Sequence, residues 1–322
     1  MPADLHWFKY EAYFTWLSGF SLLALVYYVG AAGFLVDPAK PALGIPAAIL
    51  TGLAALVLGW LVYDGLCRSP LGRDNRLVGV LWFAFLVAAA ALLDRVFAAR
   101  AAYLHIGAMI GTVMVGNVFF VIIPNQRKVV ADLVAGQVPD PALGKAAKQR
   151  SLHNNYMTLP VLFIMLSHHY PMTYGAQRPW LVLALLGLTG VAVRHVFNLR
   201  HRHADTRGAM ALAAALALAS VSYVSLEKGV AAPGREKVTW AEVQPLLARH
   251  CTGCHSPHPT NPAFPAPPLG LLLDSYDHAA PLAPRIRKVA VDAQIMPLGN
   301  LTRMTAPERA KLGDWIAAGA PK

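Results

Sequence analysis

Seven long stretches of this chain are almost free of charge: residues 14–36, 45–67, 77–93, 101–123, 156–170, 180–197 and 209–226. The hydrocarbon core of a bilayer is crossed by roughly 20 mostly apolar residues in a helix. Seven such windows in succession predict a polytopic transmembrane helix bundle of about seven spans, not the buried helices of a soluble core. The composition agrees: 56% of the residues are hydrophobic and 14% charged, where a soluble domain is about a quarter charged. Trp16, Trp60, Tyr63, Tyr103 and Trp180 sit near window ends, as interfacial anchors do. The fifth window is the shortest and the most polar at its end.

The net charge of +11 is concentrated between the windows. Alternate loops sort the Lys and Arg residues into thirteen on one face and four on the other. The positive-inside rule puts the first face in the cytoplasm, so the C-terminus emerges outside. No basic, aromatic-bearing soluble face is present, which argues against nucleic acid as a partner. The first fifteen residues lack a cleavable-signal pattern, and the first span is expected to act as its own export signal.

After residue 226 the composition changes. Residues 1–228 read as the membrane domain, 229–238 as a Gly- and Pro-containing linker, and 239–322 as a small helical domain resembling a cytochrome c. Cys251-Thr252-Gly253-Cys254-His255 is the strongest motif. Two thiols at this spacing add across the vinyl groups of a haem, and the adjacent His supplies an axial ligand to the iron. A zinc half-site would want another Cys/His pair, and no further Cys follows; Cys67 stands alone at the end of an apolar window. An amphipathic helix over 239–250 leads into the motif. The other axial ligand is expected at Met296, where Pro297 stiffens the loop, with Met304 and His278 as competitors. Thr305 and Glu308 then open a closing helix through Leu312, Trp315 and Ile316. The iron of one covalent haem c is thus expected between His255 and Met296. Met/His ligation gives a relatively high potential, suited to accepting electrons.

A tethered one-electron carrier implies something to oxidise, and polar groups inside spans are candidates by default. His105 opens the fourth window, and Asn117 lies roughly 18 Å further along that helix. His168 and His169 end the fifth. His153, Asn154 and Asn155 flank its start, and Arg194, His195 and Asn198 close the sixth. His105 and His168 are candidates as substrate contacts, proton-relay groups or ligands of a haem b, and Asn117 as a substrate-binding amide. His201 and His203 alternate with Arg200 and Arg202 and read as a solvated loop.

The segments LHWFKYEAYFTWLSG (5–19), HIGAMIGTVMVGNVFF (105–120), IPNQR (123–127) and SLHNNYMTLP (151–160) resemble the bacterial membrane-bound urate hydroxylase, or urate oxidase, family, in which a helical membrane domain is fused to a C-terminal cytochrome c. The resemblance covers essentially the whole chain. It implies oxidation of urate to 5-hydroxyisourate, with the hydroxyl oxygen from water and electrons passed to the c-type haem without hydrogen peroxide. Family members begin with further N-terminal sequence, including another span, so this chain reads as N-terminally short. It also implies the inner membrane, the cytochrome domain on the periplasmic side, and a downstream acceptor in the respiratory chain. Two alternatives remain open: a cytochrome subunit of a quinol or other small-molecule dehydrogenase, with a haem b in the bundle, and a non-catalytic electron conduit.

Overall fold

The computed structural model describes residues 7–37, 40, 43–226 and 238–322. The expected linker lies almost wholly outside the described residues, as does the start of the LHWF segment. The fold is all-helical; among the described residues the only extended pairing is an isolated antiparallel bridge between Val36 and Phe97.

The bundle comprises α1 (Trp7–Leu23) running into a π-helical turn at Ala24–Val29, the short α2 (Ala31–Phe34), α3 (Ile45–Arg68) and α4 (Asn75–Val96). It continues with α5 (Ala99–Gly116), a π-helical turn at Asn117–Ile122, α6 (Ile123–Val134), α7 (Pro141–Leu166), the short α8 (Pro171–Tyr174), α9 (Pro179–His201) and α10 (Arg207–Leu226). Local sequence sets the ends. Pro46 enters α3 in its first turn, where a missing N–H costs nothing. The Asp74 carboxylate accepts from the Arg76 and Leu77 amides to start α4, and Asp140 caps α7 ahead of Pro141. Phe14, Leu50, Val80, Leu218 and Val221 face outward and stay exposed, the pattern of helices solvated by lipid. The most buried helix is α5; it carries His105, Ile106, Met109, Ile110 and Val113 into the core.

Among the described residues six helices are long and apolar enough to cross a membrane: Tyr10–Val29, Ile45–Arg68, Asn75–Val96, Ala99–Val134, Pro179–His201 and Arg207–Leu226. The correction to the expected seven falls on the fifth window and concerns its composition, not its passage through the bundle. That segment belongs to α7, which starts well before residue 156 and gives way after Leu166 to a 3-10 turn, Ser167–His169. Its first half is polar, so it fails on composition. It nonetheless runs the length of the bundle. At one end Gln149 donates to the Gly72 carbonyl (2.6 Å) and to Asn75 Oδ1 (2.9 Å). At the other, Ile164 lies so close to Gly107 that a Cβ there would sit 2.5 Å from it. A helix placed inside the bundle can carry polar groups that lipid would reject. A second correction concerns length. The fourth span does not stop at residue 123 but continues to Val134 as one 36-residue helix. The widened turn at 117–122 precedes Pro124, whose missing N–H leaves the Phe120 carbonyl without its usual donor.

Residues 238–322 form a second core of Val243, Leu247, Ile286, Leu312 and Trp315, built by α11 (Trp240–His250), the short α12 (Tyr276–Ala279) and α13 (Ala283–Ile286), and α14 (Ala306–Ala317). Both expected helices are present, each opened by a capping box: Thr239 with Glu242, and Thr305 with Glu308. Glu308 accepts from the Thr305 amide (2.7 Å) and hydroxyl (2.8 Å). Those bonds, with a smaller contribution from His250, lower its pKa to about 2. A depressed carboxylate stabilises the fold above its unfolded pKa of about 4.3 and loses that contribution as pH falls toward 2. Glu308→Gln should therefore cost about 1 kcal/mol at neutral pH and almost nothing near pH 2, as read from melting of the Trp315 core at the two pH values.

The C-terminal unit rests on one end of the bundle, called here the near end. A Cβ on Gly299 would overlap the Gly33 backbone, and one on Gly175 would overlap Ala293. Backbone meets backbone at both points.

Candidate functional site

A cleft of about 880 Å³ lies between the near end of the bundle and the C-terminal unit. From the bundle come Phe34, Asp37, Lys40, Asp94, Arg100 and Tyr174; from the C-terminal unit come Arg287, Asp292, Met296, Arg303 and Arg309. Most of these charges are already committed. Lys40 lies 3.3 Å from the Asp94 carboxylate and donates to the Phe97 carbonyl (2.8 Å). Arg287 faces Asp292 at 3.6 Å. Arg309 is buried and holds the carbonyls of Ala290 and Met296 together with Asn300 Oδ1. Arg100 and Arg303 have no carboxylate partner among the described residues, and Arg100 Nε is buried without a hydrogen-bond partner there. The cleft therefore keeps two uncommitted guanidinium groups beside aromatic side chains, a setting for a planar anion.

His105 lies in the bundle core at this end, fully buried. Its Nδ1 donates to the Ala101 carbonyl (2.8 Å), so its Nε2 accepts from the Tyr28 hydroxyl (3.2 Å). Tyr27, Tyr28 and Phe97 surround the ring, and a Cβ on Gly52 would sit 2.7 Å from Nε2. Both ring nitrogens are thus engaged and the ring is enclosed. His168 is exposed, its ring tilted 43° against that of His169 (centroids 3.8 Å apart), with Nδ1 donating to the Met165 carbonyl.

Asn117 is elsewhere, in a polar network toward the far end. Asp64 pairs with Arg150 (2.6 Å) and Arg68 (2.6 Å). Arg150 donates to Asn117 Oδ1 (3.2 Å), and Asn117 donates to Asn154 Oδ1 (2.8 Å) and the Tyr63 hydroxyl (3.3 Å). His105, His168 and Asn117 thus occupy three separate places, and the structure does not bring them together. The sequence tally placed Arg150 in a loop; it is buried, because the polar half of α7 faces the bundle and Asp64 neutralises it. Asp64 is a charge inside the second apolar window, and its partner Arg150 lies 86 residues away in the chain. Arg194 also turns inward, donating to Asn155 Oδ1 (3.0 Å).

In the C-terminal unit Cys251 ends α11, and the Cys254 and His255 amides both bond the Cys251 carbonyl (3.1 and 2.9 Å). Both thiols are free, and burial pushes that of Cys251 up to about 12. His255 Nδ1 donates to the Leu271 carbonyl (3.1 Å), leaving Nε2 as the lone-pair nitrogen. Cys251 and Met296 pack on the same core. The Met296 backbone is held by its amide bond to the Val289 carbonyl (3.0 Å) and by Arg309 (2.6 Å). Of the competitors, Met304 is buried in that core, and His278 is exposed with Nδ1 engaged by Asp274 (2.8 Å). Among the described residues no group of three or more His, Cys, Asp or Glu side chains is arranged to hold a bare metal ion.

Fold and cleft define a class: a helical protein with, among the described residues, six helices long and apolar enough to cross a membrane and a cleft where a C-terminal unit docks. Residues 1–225 match the urate oxidase N-terminal family, and the chain belongs to that family. The family is one of urate-related oxidation, and the match ends before the C-x-x-C-H segment. Neither a curated protein nor a solved structure matches the chain.

Proposed function

We propose that the protein oxidises urate to 5-hydroxyisourate in the cleft at the near end of the bundle and delivers the electrons to a c-type haem in the C-terminal unit. The observation that carries this reading is the cleft itself: it joins the family-matched bundle to the loop bearing Met296, and its uncommitted cations are Arg100 and Arg303. Urate is a planar, easily oxidised anion. Arg100 and Arg303 hold its charge by charge-assisted hydrogen bonds, while the partly exposed Phe34 offers a ring face.

In the reaction urate and water give 5-hydroxyisourate, two protons and two electrons. The donor set fits a haem: paired thiols one turn apart at the end of α11, a His whose Nδ1 is fixed by the Leu271 carbonyl so that Nε2 is free to ligate, and a Met on a loop pinned by Arg309. When bound to Cys251, Cys254, His255 and Met296, the haem supplies a one-electron acceptor of relatively high potential. Arg309 acts as a positioning residue, since it ties the Met296 loop to α14. The lysine- and arginine-rich face is cytoplasmic on this reading. The C-terminal unit then lies in the periplasm of a multi-pass inner-membrane protein, and a respiratory carrier reoxidises it.

Urate consumption by the purified chain under argon, with ferricyanide as acceptor, tests the assignment. Turnover without oxygen, and without peroxide when air is admitted, is expected. Turnover that requires oxygen and releases peroxide stoichiometrically would overturn it.

A further inference from the structure

A second cavity, of about 690 Å³, runs along α4, α7 and α9 on the side of the bundle. Its walls are mostly apolar, with Phe163, Trp180 and Leu183 toward the near end and His153, Tyr156 and His195 toward the far end. Val80 and Leu188 at its rim are exposed on the lipid-facing surface. Two buried polar atoms in its wall, Trp82 Nε1 and His153 Nε2, have no hydrogen-bond partner among the described residues.

The network behind His153 fixes what its orphan atom offers. Arg150 can only donate, so Asn117 presents its oxygen to Arg150 and its NH₂ to Tyr63 and Asn154. Asn154 donates to the Met114 carbonyl (2.9 Å), which keeps its own oxygen as the acceptor for Asn117. The Tyr63 hydroxyl accepts from Asn117 and lies 2.8 Å from His153 Nδ1; we assign its proton to Nδ1 rather than to the Cys67 sulfur beside it, a weak acceptor. His153 Nε2 therefore carries hydrogen. The indole N–H of Trp82 only donates. A buried donor left unmatched is costly, and here two of them, from different helices, border one lipid-accessible groove.

We infer that this groove binds an isoprenoid quinone, its carbonyl oxygen accepting from His153 Nε2 and Trp82 Nε1 and its tail lying along the apolar wall toward Trp180. A bare acyl chain offers no acceptor for either donor. The ring would meet the Tyr63–Trp82 pair, whose centroids lie 5.2 Å apart at 67°, a wall of the kind that packs planar ligands. The groove lies apart from the near-end cleft, and this inference does not depend on the urate reading.

Native mass spectrometry of the full-length protein in detergent, titrated with decylubiquinone, reads the occupancy directly. One saturable adduct per chain is expected. It should weaken at least tenfold in His153→Phe and in Trp82→Phe, and disappear in Leu188→Trp, which fills the rim without touching the polar network. Decylbenzene, which has the ring and tail but no carbonyl, should give no adduct. Absence of a saturable decylubiquinone adduct, equal binding by the variants with melting temperatures unchanged, or equal binding of decylbenzene would overturn the inference.

Discussion

Replacing Arg100 by Ala should raise the KM for urate by roughly 10- to 100-fold. A hydrogen bond to a charged group is worth about 1.5–3 kcal/mol, and each 1.4 kcal/mol is a factor of ten in affinity. The loss should be this large because Arg100 Nε is buried and unpartnered among the described residues, so its donor capacity is not spent on the protein. Arg100→Lys should recover only part of it, because an ammonium cannot present the planar fork. Steady-state kinetics with urate check both variants, and the absorption spectrum of the oxidised protein should not change in either. A normal KM in Arg100→Ala would remove Arg100 from the binding role.

Replacing Arg150 by Met should be the most destabilising single change in the bundle, at about 3–5 kcal/mol, the usual cost of leaving one buried charge without its partner. Asp64 would then face an apolar side chain, with only the largely exposed Arg68 at 2.6 Å to compensate. Asn117 would lose the donor that orients it. The double replacement Asp64→Leu with Arg150→Met should be milder than Arg150→Met alone, because no unpaired charge is then buried. Thermal unfolding of the three variants in one detergent gives the comparison. Additive losses would mean that the pair is not coupled.

The features legible in the sequence were those written into local pattern. Apolar windows gave the helices of the bundle, and the Thr305/Glu308 spacing gave the start of α14. Cys251, Cys254 and His255 were evident as a group from spacing alone. The misreadings came from partners distant in the chain. Arg150 looked like loop charge because nothing local reveals that Asp64, 86 residues away, receives it. The same blindness made α7 look like a short apolar span rather than a long helix with a polar face turned inward. His105, His168 and Asn117 shared one trait, polarity inside or beside an apolar window, and that trait carries no information about which of them meet. The cleft was invisible for the same reason: Arg100 and Arg303 come from separate units, and nothing local in the chain links them.

Two π-helical turns add a lesson of their own. Ala24–Val29 carries Tyr27 and Tyr28 to His105, and Asn117–Ile122 begins with the amide that links Arg150 to Tyr63. An inserted residue in a helical turn rotates the side chains that follow it, and regular helical periodicity does not anticipate where they point.

Anaerobic stopped-flow mixing of the oxidised full-length protein with urate, followed in the visible region, tests the central claim most directly. The account predicts that the reduced c-type absorption band appears at a rate that saturates with urate and slows in Arg100→Ala. A haem-loaded protein that stays oxidised in excess urate, yet is reduced by dithionite, would contradict it.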